Sequence, residues 1–372
     1  TVPGQMIILL LIQLGGLGIM SIATVAMHVM GHRLSLKQEY LLSSMADTDH
    51  KDLVRSLAII LKFTFSAELI GAVLLTSLFY TSGEEFLQAL WRGIFTSISA
   101  FCNAGFALQS DSLISFQTNQ FVLATVSFLI IFGGMAPATS LLVPKWITGK
   151  PVPIHIRVAL LTSLILLLSG TVFLLSFEWN GILAGLSPAE KFQNAWFQSV
   201  TTRTAGFNSV EIAGMAGPSF LVMLAFMFIG GSPGGTAGGI KTTTIGILAM
   251  TFWANVTNRS DVITQNRKIQ SSTINRAVTI VASGLIVWVL VVLMLEATQQ
   301  IPVRDLIFEA TSALGTVGLS TGATNALDEI GKIIIIIAMF AGRIGPMALF
   351  MLLSDGMTMT SSRYPEEKVY LT

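Results

Sequence analysis

Long apolar stretches separated by short polar segments run along most of the chain. A helix needs about 20 apolar residues to cross a bilayer, and stretches of that order lie at 3–27, 56–80, 119–143, 156–177, 218–252, 276–298 and 330–354. Three other apolar stretches, at 86–101, 188–201 and 304–314, are too short to span. We expect them to form half-helices that enter the membrane and turn back. The pattern therefore predicts an all-α integral membrane protein.

The composition agrees with this fold class and narrows the function. Hydrophobic residues make up 52% of the 372 residues and charged residues only 11%, with a mean hydropathy of +0.74. Soluble domains carry about 25% charged residues. The net charge of +1 argues against a protein that binds nucleic acid. No nucleophile, metal-ligand set or pair of carboxylates falls at membrane depth, so we do not expect an enzyme.

The distribution of lysine and arginine predicts the orientation of the chain. These residues concentrate in the segments at 28–55, 145–157, 255–276 and 355–372, whereas the opposite segments hold few of them. By the positive-inside rule, the first set of segments is cytoplasmic. We therefore expect the half-helices, and the loops that follow them, to open toward the outside.

Each half-helix ends in a similar tail that is centred on a glycine. The tails read Ser99-Ala100-Phe101-Cys102-Asn103-Ala104-Gly105-Phe106, Thr201-Thr202-Arg203-Thr204-Ala205-Gly206-Phe207 and Ser312-Ala313-Leu314-Gly315-Thr316-Val317-Gly318-Leu319. A second glycine mark follows in the next long stretch, at Gly133-Gly134, Gly230-Gly231 and Gly342, and the first stretch carries it at Gly15-Gly16. This spacing predicts four repeats of helix, half-helix, glycine loop and helix around a single pore. Counting back from Gly15 places the first outer helix and loop ahead of Thr1, so we expect the first repeat to be incomplete.

The repeats divide the chain into four units. We expect residues 1–54 to hold the inner helix and cytoplasmic loop of repeat 1, and residues 55–150 to hold repeat 2. Repeat 3 then takes residues 151–270 and contains a glycine-rich segment at 230–241. Repeat 4 and the C-terminal tail take residues 271–372.

The chemistry of the glycine loops points to a cation path. Non-helical backbone is tolerated at membrane depth only where it is buried or lines a watery path, and rings of carbonyl oxygens replace the hydration shell of K⁺. Glycine allows the dihedral angles that carbonyls pointing the same way require. One such glycine would be an ordinary loop residue, but three in register predict a K⁺ filter. The predicted ion-binding residues, whose carbonyls would hold K⁺, are Asn103, Ala104, Gly105, Thr204, Ala205, Gly206, Thr316, Val317 and Gly318.

The fifth apolar stretch is interrupted by the segment 230–241, which contains too much glycine for a stable helix. It is not a phosphate-binding loop, because Ile240 separates the last glycine from Lys241, where a Walker motif needs Gly-Lys-Ser/Thr. A simple kink is the alternative, but a kink needs far fewer residues. We expect a flexible constriction below the filter. The predicted gating residues are Gly230, Gly231, Ser232, Pro233, Gly234, Gly235, Thr236, Lys241 and Arg343.

Four charged residues in or next to the apolar stretches need an explanation. Arg343 lies near the midplane of the last stretch, where a charge is costly, and its five donors suit the carbonyls of the interrupted segment. Arg203 precedes Gly206 by three residues. We expect it to support the filter loop from behind, because a cation in the path would repel K⁺. Lys62 can snorkel to the interface, and Glu68 can pair inside the bundle.

These motifs make the sequence resemble the Ktr/Trk/HKT superfamily of potassium transporters, and within it the bacterial KtrB-type membrane subunits. The resemblance covers essentially the whole chain. It is carried by Thr202-Arg203-Thr204-Ala205-Gly206-Phe207-Asn208, the segment Gly230–Lys241, Ala341-Gly342-Arg343-Ile344-Gly345-Pro346, Tyr364-Pro365-Glu366-Glu367-Lys368 and the opening Gln13-Leu14-Gly15-Gly16-Leu17-Gly18.

The resemblance implies properties that the residues alone do not show. Members of this superfamily carry four such units in one chain, with filter glycines that set the preference for potassium; Gly105, Gly206 and Gly318 match three of them. Their intramembrane gating loop matches 230–241, and the arginine that holds it closed matches Arg343. The resemblance also implies a homodimer in the bacterial cytoplasmic (inner) membrane. It would sit on a cytosolic nucleotide-binding ring of the KtrA/TrkA type, with uptake that is often sodium-dependent and with no organic cofactor.

Other functions stay open at this point. A carrier that works by alternating access would show inverted repeats, whereas these repeats all run in one direction. Ammonium or Na⁺ in place of K⁺ is the closest competitor, since the carbonyl chemistry is similar. The basic segments at 145–157 and 255–276, including Arg267 and Lys268, offer a surface either for the cytosolic regulator or for anionic membrane lipids.

Overall fold

The computed structural model describes residues 1–17, 53–259 and 261–345, and the side chains of residues 53–57 and 138 lie outside that description. The helices, in chain order, are α1 (Val2–Leu17), α2 (Leu53–Thr81), α3 (Phe86–Phe101), α4 (Gln120–Gly134), α5 (Pro137–Ile147), α6 (Ile154–Glu178), α7 (Pro188–Thr201), α8 (Gly217–Met227), α9 (Thr242–Val256), α10 (Ser271–Thr298), α11 (Val303–Gly315) and α12 (Glu329–Ile344). Two short 3₁₀ helices lie at Ile114–Phe116 and Ala323–Ala326, and two short strands are β1 (Ile263–Thr264) and β2 (Arg267–Lys268).

The three short helices α3, α7 and α11 form where the sequence predicts half-helices. Each begins and ends within one residue of the predicted bounds. α7 begins at a capping box, in which Ser187 and Glu190 each satisfy the other's backbone N–H. Pro188 occupies the first helical position, where its missing N–H costs nothing. Their re-entry into a membrane, and the division of the chain into four repeats, stay predictions.

The apolar stretch at 119–143 does not form the single helix that the sequence predicts. α4 ends at Gly134, α5 begins at Pro137, and the two helix axes are bent by 107°. Pro137 has no N–H with which to continue the hydrogen bonds of α4, and Met135 between them is extended, with ψ at 140°. The bend leaves the carbonyls of Gly133 and Gly134 available to other segments.

The interruption of the fifth stretch is present in the fold. α8 ends at Met227 and α9 begins at Thr242, with non-helical backbone between them. The predicted stretch at 3–27 is helical as far as the description reaches, to Leu17. The stretch at 330–354 is helical to Ile344 and leaves the helix at Gly345, whose φ is 95°. The remaining residues of both stretches lie outside the description.

Each short helix is tied to the long helix that precedes it by a hydrogen bond of one hydroxyl-bearing side chain. Ser97 Oγ of α3 donates to the Glu68 carbonyl at 2.7 Å, and Ser199 Oγ of α7 donates to the Leu167 carbonyl at 2.8 Å. In the third pair the direction is reversed, because Trp288 Nε1 donates to Thr311 Oγ1 at 2.8 Å. These bonds hold each short helix inward against its own long helix.

The outer surface of the bundle is apolar, as lipid contact requires. Large side chains on the long helices are mostly exposed, including Leu69 on α2 (67%), Ile165 on α6 (64%) and Ile336 on α12 (62%). Within the described residues, three helices are long and apolar enough to cross a membrane, or four if the bent α4–α5 pair is one span. The protein is therefore a multi-pass membrane protein.

A β-hairpin replaces part of the basic segment at 255–276, which the sequence marks only as a polar connection. β1 and β2 pair antiparallel with Ile263 opposite Lys268 and Thr264 opposite Arg267. The two turn residues between the strands, Gln265 and Asn266, both have positive φ, which is the geometry of a two-residue hairpin turn.

Candidate functional site

The three glycine loops meet at one place, although 101 or more residues separate them in the chain. A Cβ added at Gly206 would lie 3.1 Å from the Cα of Gly105 and 3.3 Å from the Cα of Gly318. One added at Gly105 would lie 2.6 Å from the carbonyl oxygen of Ala205, and one at Gly206 would lie 2.7 Å from that of Val317. Gly206 thus lies between the other two, and side chains at these positions would push the loops apart.

The three loops share one unusual backbone conformation. Positive φ angles occur at the glycine and at the residue two before it: 51° and 74° at Asn103 and Gly105, 70° and 82° at Thr204 and Gly206, and 55° and 91° at Thr316 and Gly318. Non-glycine residues adopt positive φ rarely, and such conformations persist where the surroundings impose them. The same alternation of positive φ therefore occurs in all three loops.

Hydroxyl groups at the ends of the short helices hold these loops in shape. Ser99 Oγ donates to the Phe106 carbonyl at 2.8 Å, and Thr201 Oγ1 donates to the Phe207 carbonyl at 2.6 Å. In the third loop, Ser312 Oγ accepts from the Gly318 N–H at 3.1 Å. Each bond joins the helix end to the glycine or its neighbour, so the loop conformation is fixed by its own helix.

The second glycine marks let a long helix approach the end of a short helix. A Cβ added at Gly133 would lie 1.7 Å from the Phe101 carbonyl oxygen, and one at Gly342 would lie 2.0 Å from that of Leu314. Phe101 and Leu314 occupy the same place, four residues before the loop glycine. Real Cβ atoms never come so close to an oxygen, so only glycine fits at these two positions.

The interrupted segment is closed on itself at its two ends. The Gly230 N–H donates to the Ile240 carbonyl at 2.8 Å, and the Ile240 N–H donates to the Phe228 carbonyl at 3.2 Å. Lys241 Nζ donates to the Ala237 carbonyl at 2.7 Å. Gly238 packs against the loop of α11, because a Cβ there would lie 2.0 Å from Thr316 Oγ1. The segment therefore lies directly against one of the three glycine loops.

The bend between α4 and α5 also holds the interrupted segment. The Ser232 N–H donates to the Gly134 carbonyl, and the Thr236 N–H to the Gly133 carbonyl, each at 3.2 Å. Thr236 Oγ1 donates to the same Gly133 carbonyl at 2.8 Å. The carbonyls freed by the bend thus satisfy donors of a segment that has no helix of its own.

Arg343 joins the interrupted segment to α1. Its Nη1 donates to the Thr236 carbonyl at 2.7 Å and its Nη2 to the Gly15 carbonyl at 3.0 Å. The guanidinium therefore bridges the segment and the glycine mark of the first helix. The structure brings Arg343 to the partner that the sequence predicts, and it adds the contact with Gly15.

Arg203 is buried, with 8% of its surface exposed, and its Nε has no hydrogen-bond partner among the described residues. It lines a cavity of about 10 Å³ together with Asn103, Ser163 and Ser232. A space of that size holds one water at most. The side chain lies beside α4, α6 and the interrupted segment, where a residue that supports the loops from behind would lie. That role stays a prediction.

Glu309 of α11 is a site residue that the sequence patterns miss. Its Oε1 accepts from Ser320 Oγ at 2.5 Å and from the Thr321 N–H at 3.1 Å, and its Oε2 accepts from Thr324 Oγ1. Glu309 as a whole is 4% exposed. It holds the loop that directly follows Gly318. An acidic residue in a short apolar helix was the signal available in the sequence.

Glu68 of α2 pairs inside the bundle, as the sequence predicts. Its Oε1 accepts from Gln13 Nε2 of α1 at 3.1 Å and from Cys102 Sγ at 3.7 Å. These bonds connect α1 to α2 and to the end of α3, close to the Gly15 carbonyl that Arg343 contacts.

Comparison with known proteins places these features in one family. The family model described as "TrkH: Cation transport protein" matches residues 2–359. The potassium/sodium uptake protein NtpJ of Enterococcus hirae is 35% identical over 378 residues, which cover 99% of this chain and 83% of that protein. The Ktr system potassium uptake protein B of Vibrio alginolyticus is 34% identical over 99% of this chain and 82% of its own length. Its namesake in Bacillus subtilis is 34% identical over 100% of this chain and 83% of its own length.

A solved structure has the same fold. The crystal structure of the potassium transporter TrkH from Vibrio parahaemolyticus matches with a TM-score of 0.71 and 20% sequence identity, covering 93% of this chain and 71% of that one. At this identity, the match shows only that the two folds are alike.

Proposed function

Because the chain belongs to the TrkH family of cation transport proteins and is not an enzyme, we propose that it is the potassium-translocating membrane subunit of a Ktr/Trk-type uptake system. The names of its relatives support potassium as the ion, and that of NtpJ adds sodium. The contacts around the three glycine loops support the same ion.

The observation that carries this proposal is the convergence of Gly105, Gly206 and Gly318 in one backbone conformation. The three loops are held by their own helices and meet at one place, and in the proposal their carbonyl oxygens face the ion path. Carbonyl oxygens replace the water around K⁺ when several of them surround it. In the proposal, a fourth loop of the same kind completes the ring.

The segment 230–241 is the proposed gate. It lies against Thr316 of one loop, it has no helix of its own, and it depends on carbonyls of Gly133 and Gly134 and on Arg343 for its position. A segment held by a few side-chain and backbone bonds opens more easily than a packed helix. In the closed state Arg343 holds it across the path, and opening releases that contact.

The partners proposed from the family resemblance are a second copy of the chain and a cytosolic nucleotide-binding ring. The exposed hairpin β1–β2 offers a site for the ring on the basic side of the protein. Lys268 is already paired with Asp261 at 2.5 Å, so Arg267 is the freer cation. Arg267→Gln should weaken co-purification of the ring, whereas Lys332→Gln on the opposite side should not. Equal co-purification of both variants would contradict this surface.

Uptake into proteoliposomes tests the proposed ion directly. The full-length protein should take up K⁺ and Rb⁺ well ahead of Na⁺ and ammonium, and protein-free liposomes should take up none of them. External Na⁺ should raise K⁺ uptake if the sodium dependence of the family extends to this chain. Equal uptake of all four cations would contradict a potassium-selective filter.

A further inference from the structure

An apolar groove of about 430 Å³ lies on the outer surface between α2 and α4. Its α2 wall is formed by residues one helical turn apart, and its α4 wall by a matching stripe. The lining residues are Phe63, Ser66, Ala67, Ile70, Gly71, Leu74, Thr125, Phe128, Leu129 and Phe132. Volumes of this size are typical of ligand sites in proteins. Because the groove lies on the apolar outer surface, it faces the lipid of the bilayer.

The length of the groove matches one leaflet of a bilayer. From Phe63 to Leu74 the α2 wall spans about 16 Å at 1.5 Å per residue. One leaflet contributes about half of a hydrocarbon core that is about 30 Å thick. By the charge distribution, α2 begins on the cytoplasmic side. The groove therefore begins about 8 Å from the cytoplasmic end of the span, at Ala58, and reaches past the middle of the span.

A lysine stands at the cytoplasmic end of this groove. Lys62 is exposed, and it shares a helix face with Ser66 and Ile70, which follow it by one and two turns. It lies about 6 Å along the axis from Ala58, where the apolar span begins, so its stem reaches the headgroup level by snorkelling. Within the part of the chain that the structure describes, no carboxylate lies within ion-pair distance of Lys62.

We propose that the groove between α2 and α4 binds one anionic phospholipid of the cytoplasmic leaflet, with an acyl chain along the groove and the phosphate at Lys62. An apolar channel one leaflet long with a cation at its headgroup end fits an amphiphile with a negative head. A second copy of the chain would fit less well, because it would have to bring an acidic group to Lys62.

The groove also lies next to the proposed gate. Phe132 ends its α4 wall and directly precedes Gly133, whose carbonyl holds Thr236. The lipid site itself does not depend on the proposed function, and its test measures binding, so the two can fail separately.

The test is native mass spectrometry of the full-length protein after reconstitution in nanodiscs of equal phosphatidylcholine and phosphatidylglycerol. Wild type should retain phosphatidylglycerol in preference to phosphatidylcholine. Ile70→Trp fills the groove and should lower the retained phospholipid about tenfold. Leu69→Trp is the matched control, because Leu69 is equally exposed but does not line the groove. Phe128→Trp, at an exposed position of the opposite wall, repeats the test should Ile70→Trp fold poorly.

A separate variant tests the proposed contact between the lipid phosphate and Lys62. Lys62→Gln should lower the preference for phosphatidylglycerol about fivefold, the factor that about 1 kcal/mol per lysine near the membrane surface corresponds to. Lys145→Gln, at another exposed cytoplasmic lysine, should leave it unchanged. Two results would overturn the site. One is that Ile70→Trp and Phe128→Trp both retain as much phospholipid as wild type. The other is that Lys62→Gln keeps the wild-type preference for phosphatidylglycerol. A disulfide between two copies of an Ile70→Cys variant would assign the groove to a second copy instead.

Discussion

Replacing Arg343 by alanine removes the two hydrogen bonds that tie the interrupted segment to α1. The bonds to the Thr236 carbonyl, at 2.7 Å, and to the Gly15 carbonyl, at 3.0 Å, both come from a charged donor. Hydrogen bonds to charged groups contribute about 1.5–3 kcal/mol each. If the segment must separate from Arg343 to open the path, losing the bond to the Thr236 carbonyl shifts the closed-to-open ratio by about tenfold to a hundredfold.

The expected result is a higher basal K⁺ flux in Arg343→Ala, measured in proteoliposomes without the regulatory ring. Lys332→Ala is the matched control, because it removes a cation from the exposed outer end of the same helix. Thr236→Val removes the hydroxyl bond to Gly133 and should also raise flux. The double variant should conduct no faster than the faster single variant, because both changes release one segment. Arg343→Ala protein that folds, inserts and conducts no faster than wild type would refute the gate.

Two further predictions concern the contacts around the loops. Gly133→Ala should lower thermal stability and K⁺ flux together, because its Cβ would meet the Phe101 carbonyl at 1.7 Å, whereas Gly185→Ala meets no atom within 4 Å and should change neither. If Gly133→Ala has the thermal stability and K⁺ flux of wild type, the bend tolerates a side chain at this position. Glu309→Ala should loosen the loop after Gly318 and lower K⁺ selectivity, and Glu309→Gln should restore part of it. If Glu309→Ala and wild type have the same K⁺ selectivity, Glu309 does not contribute to the site.

Much of the fold follows from the sequence because membrane segments obey a simple length rule. The bounds of α3, α7 and α11 follow from apolar stretches too short to span, and the break between α8 and α9 follows from its glycines. The resemblance to the Ktr/Trk/HKT superfamily, read from motifs such as 202–208, is confirmed by the family comparison.

The bend at Gly134 could not be predicted in the same way. The residues around it are as apolar as those of a continuous span, and a single proline after Ala136 is tolerated in many membrane helices. What stabilises the bend lies elsewhere in the chain, in the N–H groups of Ser232 and Thr236 that take up the freed carbonyls. A pattern read along the chain does not contain that pairing.

The backbone conformation of the glycine loops can likewise be predicted only in part from the sequence. The glycines mark the three positions that need positive φ, but Asn103, Thr204 and Thr316 adopt it too, and such residues favour other conformations. Their conformation is imposed by the helix ends and by the neighbouring loops. The role of Glu309 is hidden for a similar reason, since its partners at 320–324 are brought to it by the loop.

The most direct test of the potassium filter compares serine substitutions at Gly318 and Gly83. Both glycines have positive φ, at 91° and 99°, and neither has a close neighbour for a new Cβ below 3.3 Å, but only Gly318 belongs to the three loops. The measurement is the ratio of K⁺ to Na⁺ flux in proteoliposomes. Left-handed strain of about 1–2 kcal/mol in a loop that coordinates the ion should lower that ratio about five- to thirtyfold in Gly318→Ser. Gly83→Ser should keep the wild-type ratio. An unchanged ratio in correctly inserted Gly318→Ser protein would contradict selection of potassium by these loops.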